Sequence, residues 1–252
     1  MQSMLATPDA PALELRGLRK AFSRVAAVDG LDLRVAPGEV FALLGPNGAG
    51  KTTTLRMAVG LLRPDAGAVR IFGVDALADP AAAKRITAWL PDEPLLYDKL
   101  TPLEYLEFVA GLWSVPPADA AARARDLLER LELWPHRAER CEGFSRGMRQ
   151  KTMLAGALLH DPRLLILDEP LTGLDAAAAR DVKDLLRARV RAGGSVVLTT
   201  HILDVAERMA DRIGIIGAGR LLDVGRFAEL QERHPGHDTL EDLFLGLVGR
   251  PA

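Results

Sequence analysis

The sequence lacks the features that define several large classes of protein. It has one cysteine, Cys141, in 252 residues, which excludes an internal disulfide and is typical of a reducing compartment. No stretch reaches the roughly 18 uninterrupted apolar residues of a membrane-spanning helix, so a membrane role would require a partner. The N-terminal stretch MQSMLATPDAPALEL has no basic region followed by an apolar run, so we expect no signal peptide.

An excess of charge of either sign is also missing. The chain has 32 basic and 34 acidic residues, a net charge of -2, so bulk electrostatics would not recruit nucleic acid. We find no repeat of fixed period and no low-complexity linker. With 48% hydrophobic residues, the chain can bury a sizeable core, and its length suits one large domain or a core with a small subdomain.

The pattern of apolar residues predicts an α/β fold. ALELRGL, VDGLDLRV and AVRIFG indicate an antiparallel layer near the N-terminus, whereas VFALL, LLIL and SVVLTT are continuous apolar runs typical of buried parallel strands. A capping box at Thr101 and helical apolar spacing after it predict an inserted α-helical subdomain over about residues 95–160. RIGIIGAGRLLDVG predicts a hairpin, and the tail predicts two short helices.

The stretch GPNGAGKT, residues 45–52, matches the phosphate-loop pattern G-x-x-x-x-G-K-[ST] between an apolar strand and a plausible helix. Its glycines allow successive backbone N–H groups to point at phosphate oxygens. Lys51 is expected to reach the β and γ phosphates, and Thr52 to offer its hydroxyl to Mg²⁺. The motif therefore predicts a P-loop NTPase (RecA-like) core; an accidental glycine-rich turn is the alternative.

Two acids, Asp168 and Glu169, end the buried strand LLIL. Downstream of a P-loop, an acid at such a strand end holds Mg²⁺, usually through water, and we predict this role for Asp168. Glu169 is then placed to act as general base on the attacking water. The alternative is that both are solvated acids before Pro170.

His201 ends the next apolar strand, in LTTH. Neighbouring parallel strands end at the same edge of a sheet, where ligands bind, so His201 is predicted to contact the γ-phosphate and orient the water. A structural role at a strand end is the alternative.

Three cations, Arg146, Arg149 and Lys151, open a predicted helix in FSRGMRQK without any acid. Cations are unfavourable at a helix start, so this end is expected to face an anion, with Ser145 as the cap and Gly147 allowing close approach. Since the P-loop already surrounds its own nucleotide, this end would approach the nucleotide of a second copy. Alternatively, the cations form a solvated face or pair with acids such as Glu142.

Together these motifs resemble the ATP-binding cassette (ABC) ATPases over about residues 13–227. GPNGAGKT is similar to their Walker A, LLILDEP to their Walker B with the catalytic Glu, and FSRGMRQ to their signature. TGLD, ending at Asp175, resembles the D-loop, and His201 the switch histidine. Phe22 stands where an aromatic stacks on adenine; because stacking tolerates other bases, GTP stays an alternative to ATP.

The resemblance implies ATP and Mg²⁺ as cofactors and head-to-tail dimers that hold two ATPs between the Walker A of one copy and the signature of the other. It implies a transmembrane permease subunit as partner and a place on the inner face of the cell membrane. The residues carried over as nucleotide-binding are Phe22, Gly45, Pro46, Asn47, Gly48, Ala49, Gly50, Lys51, Thr52, Thr53, Ser145, Arg146, Gly147 and Asp175.

The cassette is expected to span residues 12–232, followed by a helical tail at 233–252. Within the family, the signature, LPDEPLLYDKLT and TLEDLFLGLVG are most similar to the ATPases of ABC-2-type exporters. The transported substrate is not encoded in this chain, because the permeation path belongs to the partner.

Three residues depart from the family pattern. Arg146 replaces the first Gly of the signature pair, and Met148 replaces its Gln. Asp92 stands where the Q-loop Gln contacts Mg²⁺ and the attacking water. Aspartate can ligate Mg²⁺ but cannot donate hydrogen bonds, so we expect weaker positioning of the water and altered Mg²⁺ dependence. Glu93 is an alternative for this role.

Other functions stay open at this point. Soluble cassette ATPases of translation or DNA repair usually carry two cassettes, long coiled coils or basic insertions, and none is visible in this sequence. A solitary P-loop kinase or GTPase would leave Ser145, Gly147 and His201 without a role. A module that binds ATP without hydrolysing it is disfavoured by Glu169.

Overall fold

The computed structural model describes residues 10–93 and 95–249. A four-stranded antiparallel sheet has the order β2-β1-β4-β5. Its strands are β1 Leu13–Phe22, β2 Val25–Val35, β4 Ala66–Ile71 and β5 Val74–Asp75. Leu13 of β1 pairs with Val35 on one side and Ile71 on the other. This sheet is the antiparallel layer expected from the N-terminal strand patterns.

A second sheet of six strands has the order β10-β9-β3-β8-β7-β6. Its strands are β3 Val40–Leu44, β6 Thr87–Leu90, β7 Leu164–Leu167, β8 Ser195–Thr199, β9 Arg212–Gly217 and β10 Arg220–Gly225. All neighbours pair in parallel except β10, which returns antiparallel to β9. Every residue of β3, β7 and β8 is buried, which explains their uninterrupted apolar sequences.

Nine α-helices occur in the part of the chain that the structure describes. They are α1 Lys51–Ala58, α2 Pro80–Arg85, α3 Pro102–Leu112, α4 Pro117–Arg130, α5 Arg146–Leu159, α6 Ala176–Arg191, α7 Leu203–Met209, α8 Phe227–Arg233 and α9 Leu240–Val248. The capping box at Thr101 and the cap at Ser145 are confirmed, and Asp175 caps α6; each side chain accepts a backbone N–H of its helix.

Helices α3, α4 and α5 lie between β6 and β7, inside the interval 95–160 that the sequence indicated. They share the larger core cluster with the parallel sheet. Gly156 of α5 permits close packing, because a Cβ there would lie 2.6 Å from the ring of Tyr105 on α3. The bounds of the subdomain, and those of the cassette at 12–232, stay predictions.

The two predicted helices of the tail are present as α8 and α9. Residues 1–9, Pro94 and residues 250–252 lie outside the described part, and with them the expectation about a signal peptide and the last residues of the tail. No helix within residues 10–93 and 95–249 is both long and apolar enough to cross a membrane. Strands β5 and β6 and helices α2 and α7 were not predicted.

Candidate nucleotide-binding and catalytic site

The phosphate loop joins β3 to α1 and is closely packed on its outer side. Gly50, the residue before α1, has φ 103, and a Cβ there would lie 2.4 Å from the carbonyl oxygen of Ala27. A Cβ at Gly45 would lie 2.5 Å from the carbonyl oxygen of Ile216. Glycine is therefore required at both positions by the backbone that surrounds the loop.

The hairpin of β9 and β10 holds the loop from outside. Its turn, Ala218-Gly219, has positive φ at both residues, as expected for a two-residue hairpin turn. The N–H of Gly219 donates to the carbonyl of Ala49 at 3.0 Å, and its carbonyl accepts from the N–H of Asp29 at 2.9 Å. One turn thus connects the phosphate loop to the antiparallel layer.

The Lys51 ammonium lies under the loop. It is 7% exposed and donates to the carbonyls of Gly45 and Pro46, at 2.6 and 3.1 Å. Burial lowers the pKa of Lys51, and the nearby carboxylates of Glu169 and Asp168 act in the opposite direction. A cation held at this place is available to phosphate oxygens that enter the loop.

Asp168 lies at the centre of a buried hydrogen-bond network. It is 2% exposed, and its two carboxylate oxygens accept from the hydroxyls of Thr52, at 2.7 Å, and Thr199, at 2.6 Å. The hydroxyl of Thr199 also accepts the backbone N–H of Glu169 at 3.0 Å. Strands β7 and β8 are adjacent, and the network joins their ends to the phosphate loop.

Glu169 and His201 are in direct contact. The Nδ1 atom of His201 lies 2.8 Å from Oε2 of Glu169, which also accepts from the backbone N–H of His201 at 3.3 Å and the hydroxyl of Thr172 at 3.2 Å. Glu169 has a backbone φ of 48, a conformation that residues other than glycine rarely adopt. This strained backbone conformation places the Glu169 carboxylate at the edge of the sheet, next to the phosphate loop.

A cavity of about 360 Å³ brings most of the predicted residues together. Its wall contains the phosphate loop and three acids from the ends of two strands, β6 and β7. The lining residues are Phe22, Ala27, Pro46, Asn47, Gly48, Ala49, Gly50, Lys51, Thr52, Thr53, Asp92, Asp168 and Glu169. Phe22 is half exposed at the rim. His201 is not part of this wall and reaches it only through Glu169.

Another group of predicted residues lies outside that wall, at the start of α5. The hydroxyl of Ser145 accepts the N–H of Met148 at 3.3 Å, and Gly147 lies beside Leu174. Asp175 caps α6. Ser145 and Asp175 are exposed, whereas Gly147 is half-buried.

The three cations of this helix end all have acidic partners within the chain. Arg149 binds Asp98 at 2.6 Å, and Lys151, 7% exposed, binds Asp181 at 2.8 Å. The expectation that all three face an anion is therefore wrong for Arg149 and Lys151, which have structural partners; Glu142, named as an alternative, pairs with Lys99 instead.

Arg146 has a different kind of partner, because its acid belongs to the cavity wall. Its Nη2 atom lies 3.3 Å from Oδ1 of Asp92, and both side chains are about half exposed. Glu93, the alternative to Asp92, is exposed and is not part of the wall.

The residues below the phosphate loop are suited to bind magnesium. The Thr52 hydroxyl and an Asp168 carboxylate oxygen, 2.7 Å apart, are hard oxygen donors below the phosphate loop. No group of three or more His, Cys, Asp or Glu residues suited to a metal occurs within residues 10–93 and 95–249. A magnesium ion shared with phosphates does not require such a group, because it uses only one or two protein ligands.

Sequence reasoning missed three parts of the site: Thr199, Ala27 of the cavity wall and the hairpin turn at Gly219. The only signal for Thr199 was its place two residues before His201, at the end of an apolar strand. Gly219 carries no signal beyond a turn, since its contact with Ala49 joins segments 170 residues apart.

Comparison with known proteins decides the family. The family profile described as "ABC transporter" matches residues 28–172. The chain belongs to the ABC transporter family. Its fold and ATP hydrolase activity are those of this family's ATP-binding subunits, which confirms the resemblance carried by the motifs.

Individual relatives agree with this assignment. The chain is 41% identical over 220 residues to the daunorubicin/doxorubicin resistance ATP-binding protein DrrA of Streptomyces peucetius, covering 87% of this chain and 67% of that protein. It is 37% identical to Nod factor export ATP-binding protein I of Cupriavidus metallidurans, covering 91% and 76%. A solved structure of an ATP-binding subunit of an ABC transporter superimposes with a TM-score of 0.88 at 32% identity, over 94% of this chain and 99% of that one.

Proposed function

We propose that this ABC ATPase powers export through a transmembrane permease, with two copies enclosing two ATPs. The catalytic part of this proposal depends on one observation, the contact between Glu169 and His201 beside the phosphate loop. The relatives that support export are named for drug resistance and Nod factor export. The nucleotide-binding, catalytic and metal-binding roles assigned from the sequence are part of this proposal.

The chain's own residues have distinct tasks in this scheme. Lys51 and the N–H groups of the loop bind the β and γ phosphates, and Phe22 stacks on the base. Magnesium, when bound through Thr52 and Asp168, neutralises charge that develops on the phosphates. Glu169 accepts the proton of the attacking water. His201 contacts the γ-phosphate and orients that water, as assigned from the sequence, and its Nδ1 contact also holds the Glu169 carboxylate in position.

The Ser145 end of α5 supplies the second half of each site in a partner copy. Support comes from its position outside the cavity wall, with Ser145 and Asp175 both exposed. The signature and D-loop segments are also in contact, since Gly147 lies beside Leu174. A free helix N-terminus with a serine cap is suited to an anion.

Glu169→Gln tests the proposal. The amide cannot accept a proton, so hydrolysis should fall by about a hundredfold or more while ATP binding persists. Light scattering should then detect a dimer with ATP and Mg²⁺ and a monomer without nucleotide. A variant that stays monomeric under ATP, with wild-type protein hydrolysing normally, would indicate a solitary NTPase instead.

We infer further that the chain is held at the inner face of the membrane by its permease partner, which docks on the helical insertion near Tyr97. Tyr97 is 58% exposed and packs edge-on against the exposed Phe108 at 5.4 Å between ring centroids. Tyr105, on α3 of the same insertion, is buried and is therefore not available for docking. In cells, Tyr97→Asp should move the chain from the membrane fraction to the supernatant, whereas Leu222→Asp, on β10, should not.

A further inference from the structure

Two of the three departures from the family pattern are in contact. Arg146, in place of a signature glycine, donates to Asp92, in place of the Q-loop glutamine, at 3.3 Å. They are 54 residues apart, on the helical insertion and at the end of β6. A long cation and a short anion replace two neutral residues, and the new charges compensate each other.

The Arg146 side chain has a second contact, with the backbone of Gly173. A Cβ at Gly173 would lie 2.8 and 2.9 Å from Cδ and Nε of Arg146, so the side chain rests directly on the Gly173 backbone. Gly173 has φ 77 and follows Thr172, which hydrogen-bonds Glu169. The guanidinium is thus held between a turn connected to the catalytic acid and the carboxylate of Asp92.

Asp92 is the half of the pair that faces the nucleotide site. It lines the cavity together with the phosphate loop, Asp168 and Glu169. Asp92 is the third carboxylate in that wall. Its negative charge repels the phosphate chain of a nucleotide, which carries several negative charges. Arg146 is the cation that the structure places on it, whereas Lys51 is engaged with the loop carbonyls. Because both side chains are about half exposed, their pairing contributes little to fold stability, and its effect should be on the electrostatics of the cavity.

We propose that Arg146 is a positioning residue for the nucleotide site of its own chain: it holds Asp92 and neutralises it, so that phosphate can occupy the loop. The same side chain stands at the helix end assigned above to the partner's nucleotide, so one residue serves both sites of a pair. The inference depends on the proposed role of the phosphate loop but not on the pairing of two copies.

The test is a double-mutant cycle on dilute, monomeric protein. The affinity for ATP, with and without Mg²⁺, is measured by calorimetry in wild type, Arg146→Gln, Asp92→Asn and the double variant, with light scattering to verify the monomer. Arg146→Gln should weaken ATP binding by about three- to tenfold when Asp92 is present. In the Asp92→Asn chain the same substitution should change affinity by less than about twofold.

Three controls separate this effect from general charge and folding. Arg146→Lys keeps the cation and should retain most of the affinity. Arg140→Gln removes a cation that is 65% exposed in the same region and outside the cavity wall, and it should leave affinity unchanged. The loss in Arg146→Gln should also shrink as salt rises, because screening weakens the effect of a free Asp92.

The inference is overturned if Arg146→Gln binds ATP as wild type does, or if the loss is equal in both backgrounds. Either result would leave Arg146 with no role in its own chain's site. If instead the cycle behaves as expected but Glu169→Gln never dimerises under ATP, the proposed pairing of two copies fails and the inference stands.

Discussion

The hydroxyl of Thr199 donates to Asp168 at 2.6 Å and accepts the backbone N–H of Glu169 at 3.0 Å. One oxygen atom therefore positions the two acids to which we assign magnesium binding and water activation. Thr199 is fully buried, so water cannot replace the hydroxyl without rearrangement.

Thr199→Val should remove this link with little change in shape. It leaves a buried carboxylate oxygen and a buried N–H without their partner, which should lower the free energy of unfolding by about 1–3 kcal/mol. Hydrolysis should fall by about tenfold or more, because Glu169 and Asp168 lose their common support. Steady-state ATPase assays and urea denaturation check both effects.

Thr199→Ser is the matched control, because it keeps the hydroxyl. We expect its ATPase rate to stay within about threefold of wild type. Equal rates in the valine and serine variants would contradict the role given to this oxygen.

Gly50→Ala should disrupt the phosphate loop even before nucleotide binds. The new Cβ would lie 2.4 Å from the Ala27 carbonyl, and φ 103 is itself strained for alanine. The free energy of unfolding of the nucleotide-free protein should fall by more than the roughly 1–3 kcal/mol of backbone strain alone.

Gly38→Ala is the control variant, because it introduces alanine at a positive φ without a steric clash. Gly38 has φ 73, and a Cβ there would have nothing within 4 Å. Chemical denaturation of both variants should give the larger loss for Gly50→Ala. A loss no larger than that of Gly38→Ala would mean that the loop can move away from Ala27.

Asp92→Gln tests the departure at the Q-loop position. The amide adds a hydrogen-bond donor for water and removes a charge from the cavity wall, so turnover should rise at saturating Mg²⁺. The Mg²⁺ concentration that gives half-maximal turnover should also shift, because a carboxylate that can ligate the ion is lost. Titration of the ATPase rate with Mg²⁺ is the measurement, and superimposable curves would contradict the assigned role.

Cys141 should be inert in the folded protein. It is buried at the start of a short 3-10 turn, Cys141–Gly143, that leads to the Ser145 helix, and burial raises its pKa to about 11. At pH 8 only about a thousandth of this thiol is thiolate, the reactive form. A disulfide exchange reagent should react with one thiol per chain in urea and far more slowly under native conditions. Rapid native labelling would contradict this burial.

Local signals explain which parts of the structure the sequence predicts. The phosphate loop, the capping box at Thr101 and the apolar run of β7 each depend on residues within one segment, so their structure follows from spacing alone. Helix α7 and strand β6 are short, and their sequences, LDVAERM and TAWL, carry no distinct period.

Contacts between distant segments explain what was missed. The partners of Arg149 and Lys151 lie 51 and 30 residues away, so the unusual cations at that helix start could not be matched to Asp98 and Asp181 beforehand. The Arg146–Asp92 contact is of the same kind: both departures were visible in the sequence, but their contact depends on how α5 packs beside β6.

The hydrogen bond from Gly219 to Ala49 has a practical consequence for gene annotation. A shortened reading frame that stops between His201 and Gly219 would still contain every sequence motif of the cassette, yet its phosphate loop would lack the hairpin turn that binds Ala49. A genome annotation based on motifs alone would classify such fragments as active ATPases. The number of residues that follow the last motif is a better criterion for an intact cassette.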